Sequence, residues 1–379
     1  MQTPPRTKRV ESLPAAIPFV GPEAIERRTG IPFTVRVGAN ESAFGISPKA
    51  RDAMGKAINR ISHYNDPENH DLRTALGAHH GITPDRISVG AGIDDLLGLA
   101  VRVYLGTGDV AVSSLGSYPT FHFHVAGFGA DSHTVPYKQT GINDLEALAE
   151  TAHKTRARLV YLANPDNPAG TWHSSKDLEN FVNRLPETCA CIIDEAYIEF
   201  APEGTAYLIQ DLDPRIMVMR TFSKAHGMAG VRVGYAIASP EVIKAFDKVR
   251  LHFNVNLVAQ AGALASLHDL DFVHEVVSQV AAGRSEYELL ASKLGMPTLA
   301  SATNFVTFDA GSQQRAQAIL ENLAKKGVFI RKPGTPPLDR CFRVTVGTSK
   351  ERKAFAEILP EVVKAVDSSQ YREFPGLAD

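Results

Sequence analysis

Between about Ser47 and Pro240 the chain repeats one arrangement: a short apolar run, a helical stretch, then another apolar run. The runs are Arg86-Ile87-Ser88-Val89, Val110-Ala111-Val112, Leu159-Val160-Tyr161-Leu162 and Ala190-Cys191-Ile192-Ile193. A strand that is apolar at every position needs cover on both faces. Crossover helices on a mostly parallel sheet provide that cover. The intervening stretches read as helices. Ser47 caps one, with Pro48 at its first position and its end toward Asn59, and another spans Asp94 to Tyr104. The fold class is α/β.

After Arg232-Val233-Gly234-Tyr235 the texture changes. A long helical region is expected from about Pro240 to Leu294, broken near Asn254. Strands at Asn304-Phe305-Val306, Val328-Phe329-Ile330 and Phe342-Arg343-Val344 then flank a helix from Gln313 to Lys326, with a last helix beyond. These strands can pair antiparallel in a smaller α+β unit. A length of 379 residues exceeds what one core usually supports, so two lobes are expected. The divisions read from the sequence are residues 1–45, an arm rich in proline and glycine lying on the smaller lobe; 46–262, the large domain; and 263–379, the small one.

Composition excludes several classes. A net charge of −2 gives no electrostatic basis for nucleic acid or an anionic membrane. Cys189, Cys191 and Cys341 are too few and too oddly spaced for a disulfide framework or a metal site, and Cys189 and Cys191 read as strand packing. No metal is expected. The N-terminal stretch Met1 to Val10 is polar and basic, with no apolar segment after it to make a signal peptide, and no apolar stretch reaches membrane-spanning length. The expected compartment is cytoplasmic and reducing.

The segment that carries most chemistry is Thr221-Phe222-Ser223-Lys224-Ala225-His226-Gly227-Met228-Ala229-Gly230-Val231-Arg232. A lysine beside small hydroxyl residues, with glycines and an arginine following, suits an aldehyde cofactor with a phosphate tail. The amine forms a Schiff base with the aldehyde, while Thr221, Ser223 and Arg232 meet the phosphate. Gly90-Ala91-Gly92-Ile93-Asp94-Asp95 lies between a strand and a helix, where backbone N–H groups cradle phosphate. A dinucleotide site would want a third glycine at position 95, where Asp95 stands, and it would leave the lysine segment unexplained. The run Asn164-Pro165-Asp166-Asn167-Pro168-Ala169-Gly170 makes a rigid turn at a strand's carboxyl end, fixing the Asn167 amide for a ring oxygen. Asp194 ends an apolar strand, where a carboxylate needs a cation such as a protonated pyridine nitrogen, and Tyr197 follows within reach of the ring oxygen. Tyr118 offers a ring for stacking, and Tyr64 with Asn65 lies in a polar loop placed to reach a neighbouring subunit.

Taken together, these motifs resemble the fold-type I, class I/II aminotransferases, in particular the histidinol-phosphate aminotransferase branch. The similarity covers nearly the whole chain. Besides the motifs above it includes Ala39-Asn40-Glu41-Ser42, Phe253-Asn254-Val255-Asn256, Asn304-Phe305 and Arg343-Val344-Thr345-Val346-Gly347-Thr348. The resemblance implies a large domain with a mostly parallel seven-stranded sheet plus a smaller α+β domain, and pyridoxal 5'-phosphate (PLP) as cofactor. It implies Lys224 as the Schiff-base lysine that later moves a proton, Asp194 as partner of the pyridinium, and Asn167 and Tyr197 at the ring oxygen. It implies Tyr118 as the stacking ring, and phosphate binding by the backbone at Ile93, Asp94 and Asp95 with Thr221, Ser223 and Arg232. Arg343 would clamp the substrate carboxylate, with Asn40 and Arg331 as further substrate contacts. Tyr64 would reach the partner subunit's cofactor in a homodimer.

Two departures bear on substrate. The branch usually places a tyrosine in its arm near the substrate phosphate, whereas Ile17-Pro18-Phe19-Val20-Gly21 offers Phe19; and His252 stands where proline is usual. Losing that hydroxyl counts against a phosphorylated substrate, and Phe19 suits an aromatic side chain at least as well. The leading expectation is transfer of an amino group from histidinol phosphate to 2-oxoglutarate. Aromatic amino acid transamination and an amino-acid phosphate decarboxylase of the same fold are the alternatives. A PLP-binding sensor of transcription would need a DNA-binding module, for which the short arm has no room.

Overall fold

The computed structural model describes residues 3–13 and 19–368. Ile17 and Pro18 of the arm stretch, Met1 of the N-terminal reading and the last residues of the expected small domain lie outside them. Strands follow in order as β1 (Val35–Arg36), β2 (Ile87–Gly90), β3 (Val110–Ser114), β4 (Asp131–Val135), β5 (Leu159–Ala163) and β6 (Ala190–Asp194). They continue as β7 (Ile216–Thr221), β8 (Gly234–Ile237), β9 (Phe305–Asp309), β10 (Val328–Phe329) and β11 (Cys341–Thr345).

β2 to β8 form a seven-stranded sheet in the order β2-β8-β7-β6-β5-β3-β4. β3 to β7 pair in parallel, and β8 runs antiparallel to both its neighbours. The sheet is therefore mixed but mostly parallel. Successive residues alternate between two cores: Val160 and Leu162 of β5, Cys191 and Ile193 of β6, and Ile216 and Val218 of β7 enter one. Leu159, Tyr161, Ala190, Ile192, Met217 and Met219 enter the other. This is the two-sided burial that wholly apolar runs demand. Cys189 and Cys191 are fully buried packing residues, as their spacing implied.

β9 and β11 pair antiparallel around a third core, in which Phe308 stacks on Phe342 with ring centroids 5.0 Å apart. β10 departs from the expected antiparallel grouping. It pairs in parallel with β1, so the arm supplies its partner strand. The helical region expected from Pro240 to Leu294 is three helices, Pro240–Val249, Leu257–Leu267 and Leu270–Lys293. The break near Asn254 is held by its side-chain amide, which donates to the Val89 carbonyl and to Asp95. β4 gave no apolar run because it is an edge strand with exposed residues at four of its five positions. Among the described residues no helix is long and apolar enough to cross a membrane.

The aromatic cluster beneath β9 and β11 is the chief support of that smaller sheet. Phe308→Ala empties a fully buried site touching Phe342, Tyr287 and Phe355. It is expected to cost about 3–5 kcal/mol, read as a lower denaturation midpoint of the apoprotein.

Candidate active site

The parallel strands β3, β5, β6 and β7 end on one side of the sheet, and the connections that leave them converge on a cavity of about 300 Å³. Carboxyl ends of parallel strands are where α/β folds build sites, because loops there vary without disturbing the sheet. Lys224, Asp194, Asn167, Tyr118, Tyr197, Thr221, Ser223 and Arg232 all line this cavity, as do Ile93 and Asp94. From the arm and the smaller sheet come Phe19, Asn40, Arg331 and Arg343.

The helix Ile93–Tyr104 begins at the cavity with Gly92 at its cap and no side-chain cap bond, so its first backbone N–H groups have no capping partner. Gly92 has φ +84°, and a Cβ there would lie 2.6 Å from the Arg232 guanidinium. Arg232 also reaches Asp94 at 3.2 Å. The Thr221 hydroxyl donates to Ser223 at 2.9 Å. A helix start, two hydroxyls and a guanidinium around one corner make an anion cradle. Asp95 is outside the cavity lining; its carboxylate accepts from the Ala91 N–H and from Asn254, so only its backbone faces the cradle's helix start.

Opposite in character is Asp194, buried at the end of β6. Its carboxylate accepts from the Tyr161 hydroxyl at 2.8 Å and the Ala196 N–H at 3.0 Å, and among the described residues no salt bridge neutralises it. Burial pushes its pKa up to about 6, against those hydrogen bonds. Lys224 Nζ donates to the Asn40 carbonyl at 3.0 Å and stands 5.5 Å from the centre of the Tyr197 ring. The Asn40 side-chain amide donates to the Tyr197 hydroxyl at 2.9 Å. Tyr118 donates to Asp94 at 2.8 Å, and burial raises its pKa further above the usual phenol range.

Arg343 is packed over the Phe305 ring, its Cζ 4.9 Å from the centroid, and donates to the Asn167 side-chain oxygen. Desolvation lowers its pKa to about 10, and its buried Nε has no hydrogen-bond partner among the described residues. A half-buried guanidinium facing a cavity calls for an anion. Arg331 sits at the rim, donating to the Val20 carbonyl at 2.8 Å, with its Cζ 5.8 Å from the Phe19 ring centre. Phe19 in turn lies 5.8 Å from the Tyr118 ring.

Tyr64 is not in the cavity of its own chain. It is 81% exposed and stacks on Phe253 at 4.5 Å. Sequence reasoning missed Tyr161, read only as part of an apolar strand, although its hydroxyl meets Asp194. A tyrosine in an otherwise aliphatic run was the available signal.

These features meet the needs of one cofactor chemistry: an amine for an aldehyde, a cradle for a phosphate, and a buried anion for a ring nitrogen. Residues 34–359 match the family model for aminotransferase class I and II. The chain belongs to that family and is a PLP-dependent aminotransferase of fold type I. It is 37% identical over 365 residues to histidinol-phosphate aminotransferase of Roseiflexus castenholzii, covering 93% of this chain and 96% of that one. It is 34% identical over 363 residues to histidinol-phosphate aminotransferase 2 of Carboxydothermus hydrogenoformans, covering 94% and 99%. The crystal structure of histidinol-phosphate aminotransferase from Sinorhizobium meliloti in complex with pyridoxal-5'-phosphate superposes with a TM-score of 0.93 at 43% identity, over 96% of this chain and 99% of that one.

Gly92→Ala tests the cradle. A side chain at positive φ is strained by about 1 kcal/mol or more, and here it also displaces Arg232. PLP affinity, measured by absorbance titration of the apoprotein, is expected to fall roughly tenfold or more.

Proposed function

We propose that the chain exchanges an amino group between histidinol phosphate and 2-oxoglutarate, in two half-reactions on PLP. The observation that carries this reading is the charge arrangement of one cavity: a lysine amine, a buried carboxylate with no salt bridge among the described residues, and a half-buried guanidinium whose Nε has no hydrogen-bond partner among them. The names of the relatives support the substrate pair. Bound PLP supplies an aldehyde that condenses with amines and a protonated ring that withdraws electrons from the substrate Cα.

The chain's own residues do the rest. The N–H groups at Ile93, Asp94 and Asp95, with Thr221, Ser223 and Arg232, hold the phosphate. Asp194 would keep the ring nitrogen protonated, Asn167 and Tyr197 would hold the ring oxygen, and Tyr118 would stack on the ring, all four lining the one cavity. Lys224 Nζ, lining the cavity, would serve as the acid and base that moves the proton leaving substrate Cα. Arg343 grips the end of the substrate nearest Cα: the carboxylate of 2-oxoglutarate or of an amino acid. Asn40, Arg331 and Phe19 line the same cavity, and the guanidinium of Arg331 suits the phosphate that histidinol phosphate carries on the carbon next to Cα.

A second reading, an aromatic amino acid as donor, is favoured by the Phe19 and Tyr118 rings lying together at the cavity mouth. We also assign the chain to a cytoplasmic homodimer with residues 1–45, 46–262 and 263–379 as arm, large domain and small domain. The apolar exposure of Ile61, Tyr64, Leu251 and Phe253 supports a subunit interface there, with Tyr64 serving the partner's site.

The test is an absorption spectrum of the PLP-loaded protein titrated with histidinol phosphate, phenylalanine and glutamate. Histidinol phosphate is expected to convert the cofactor to its amine form most efficiently. Release of carbon dioxide without that conversion would replace transamination by decarboxylation. Lys224→Ala abolishes the lysine-bound band. Arg343→Ala removes charged hydrogen bonds worth about 1.5–3 kcal/mol, so kcat/KM for glutamate falls roughly 10- to 150-fold. PLP retention is expected to decline as pH falls through about 6, because Asp194 becomes neutral there and loses its attraction for a cationic ring. Mixed dimers of Lys224→Ala and Tyr64→Ala chains recover one competent site in two if Tyr64 acts across the interface; unrecovered activity would remove it from the partner's site.

A further inference from the structure

Tyr161 lies in the middle of β5, a strand whose other residues are Leu159, Val160, Leu162 and Ala163. In the β5–β6 register Tyr161 stands opposite Ile192 and Ala163 opposite Asp194, so Tyr161 and Asp194 project from one face of the sheet. The phenol is 1% exposed and its ring stacks on Phe121 at 4.8 Å with the planes 16° apart. That packing needs only a ring. A phenylalanine would fill the same space without a buried hydroxyl, which costs free energy unless it is paired. The partner this hydroxyl finds is Asp194 Oδ2, at 2.8 Å, while the Ala196 N–H takes Oδ1 at 3.0 Å. Two donors, one per oxygen, hold the carboxylate from its own side of the cavity.

We propose that Tyr161 is a positioning residue: its hydroxyl fixes the plane of the Asp194 carboxylate and stabilises its charge, so that the carboxylate meets a cationic ring nitrogen already ionised and aligned. This rests on the PLP reading above. A hydrogen bond to the charged form of an acid favours that form, and it opposes the burial that disfavours it. The other groups acting on Asp194 are Asp94 across the cavity, which disfavours its charge, and Lys224, which favours it. Around the phenol stand Tyr118 and Asp166, and with burial and Asp194 they hold it well above the usual phenol range, so it remains a donor across working pH. Arg232 pairs with Asp94 on the phosphate side. Glu195 faces elsewhere, paired with Arg220 at 2.7 Å.

The experiment compares PLP retention against pH for the loaded wild-type protein and Tyr161→Phe, by dialysis and absorbance of the retained cofactor. The titration of the PLP phosphate is common to both, so the difference between midpoints reads Asp194. Loss of a charged hydrogen bond is expected to move the acid midpoint upward by roughly one to two pH units, with the ring packing intact. Difluorotyrosine placed at position 161, a stronger donor, is expected to move it downward. Coincident midpoints for Tyr161→Phe and wild type, or shifts of the same sign for both substitutions, would overturn the proposal. Should Tyr161→Phe fail to fold, the sign of the difluorotyrosine shift decides alone. A wild-type protein that retains no PLP at neutral pH would instead overturn the cofactor reading, and this inference with it.

Discussion

A carboxylate at the end of an apolar strand organises this molecule. Asp194 and Glu195 are neighbours in the chain and both are buried, yet strand alternation sends them to opposite sides. Glu195 is satisfied internally: Arg220 reaches it at 2.7 Å and the Tyr207 N–H donates to it at 2.6 Å. Asp194 has hydrogen bonds but, among the described residues, no salt bridge, and it faces a cavity. Removing an ion from water is affordable only with a counter-charge, so one acid is a structural tie and the other leaves its charge for a ligand to neutralise. The seven-stranded sheet holds that acid in place, and the cradle at Ile93 and the amine of Lys224 are arranged around the same space.

Asn40 links this centre to the smaller sheet. Its carbonyl accepts from Lys224 at 3.0 Å and from the Asn304 amide at 3.1 Å. Its side chain bonds Tyr197, and its N–H donates to Thr345 at 3.0 Å. It adopts φ +54°, a conformation that asparagine tolerates better than most residues. The amine, the phenol of Tyr197 and the strand bearing Arg343 therefore share one residue as a common support. A shift of the smaller sheet is felt at the lysine through hydrogen bonds rather than through the backbone of the large sheet.

Much of this was legible in the chain. Runs such as Cys191-Ile192-Ile193 announce two-sided burial, and the segment Thr221 to Arg232 announces an amine beside an anion cradle, because both depend on residue types at close spacing. What was not legible depended on geometry between distant segments. β4 is polar and exposed and carries no periodic signal, so only its pairing with β3 defines it. β10 reads as a strand, but nothing in Val328-Phe329 states that its partner is the arm. Tyr161 shows its face of the sheet by position, while the acid its hydroxyl meets is fixed by strand register. Tyr64 is legible as a loop aromatic, while its exposed stack on Phe253 joins two segments far apart in the chain.

The arm's pairing has a consequence for the order of assembly. Val35 and Arg36 find their partners at Val328 and Phe329, and Thr34 bonds Gly327 across a separation of 293 residues. On a growing chain the large sheet can complete itself while this pair is still apart, since its last strand ends at Ile237. Closing so long a loop is slow in entropy terms and comes after the local contacts have formed. Asn40 can meet Lys224 and Tyr197 early, but its bonds to Asn304 and Thr345 form only when β9 and β11 arrive. Ile93, Asp94, Asp194, Thr221, Ser223, Lys224 and Arg232 all precede Ile237, whereas Arg331 and Arg343 of the same cavity come from the part of the chain made last.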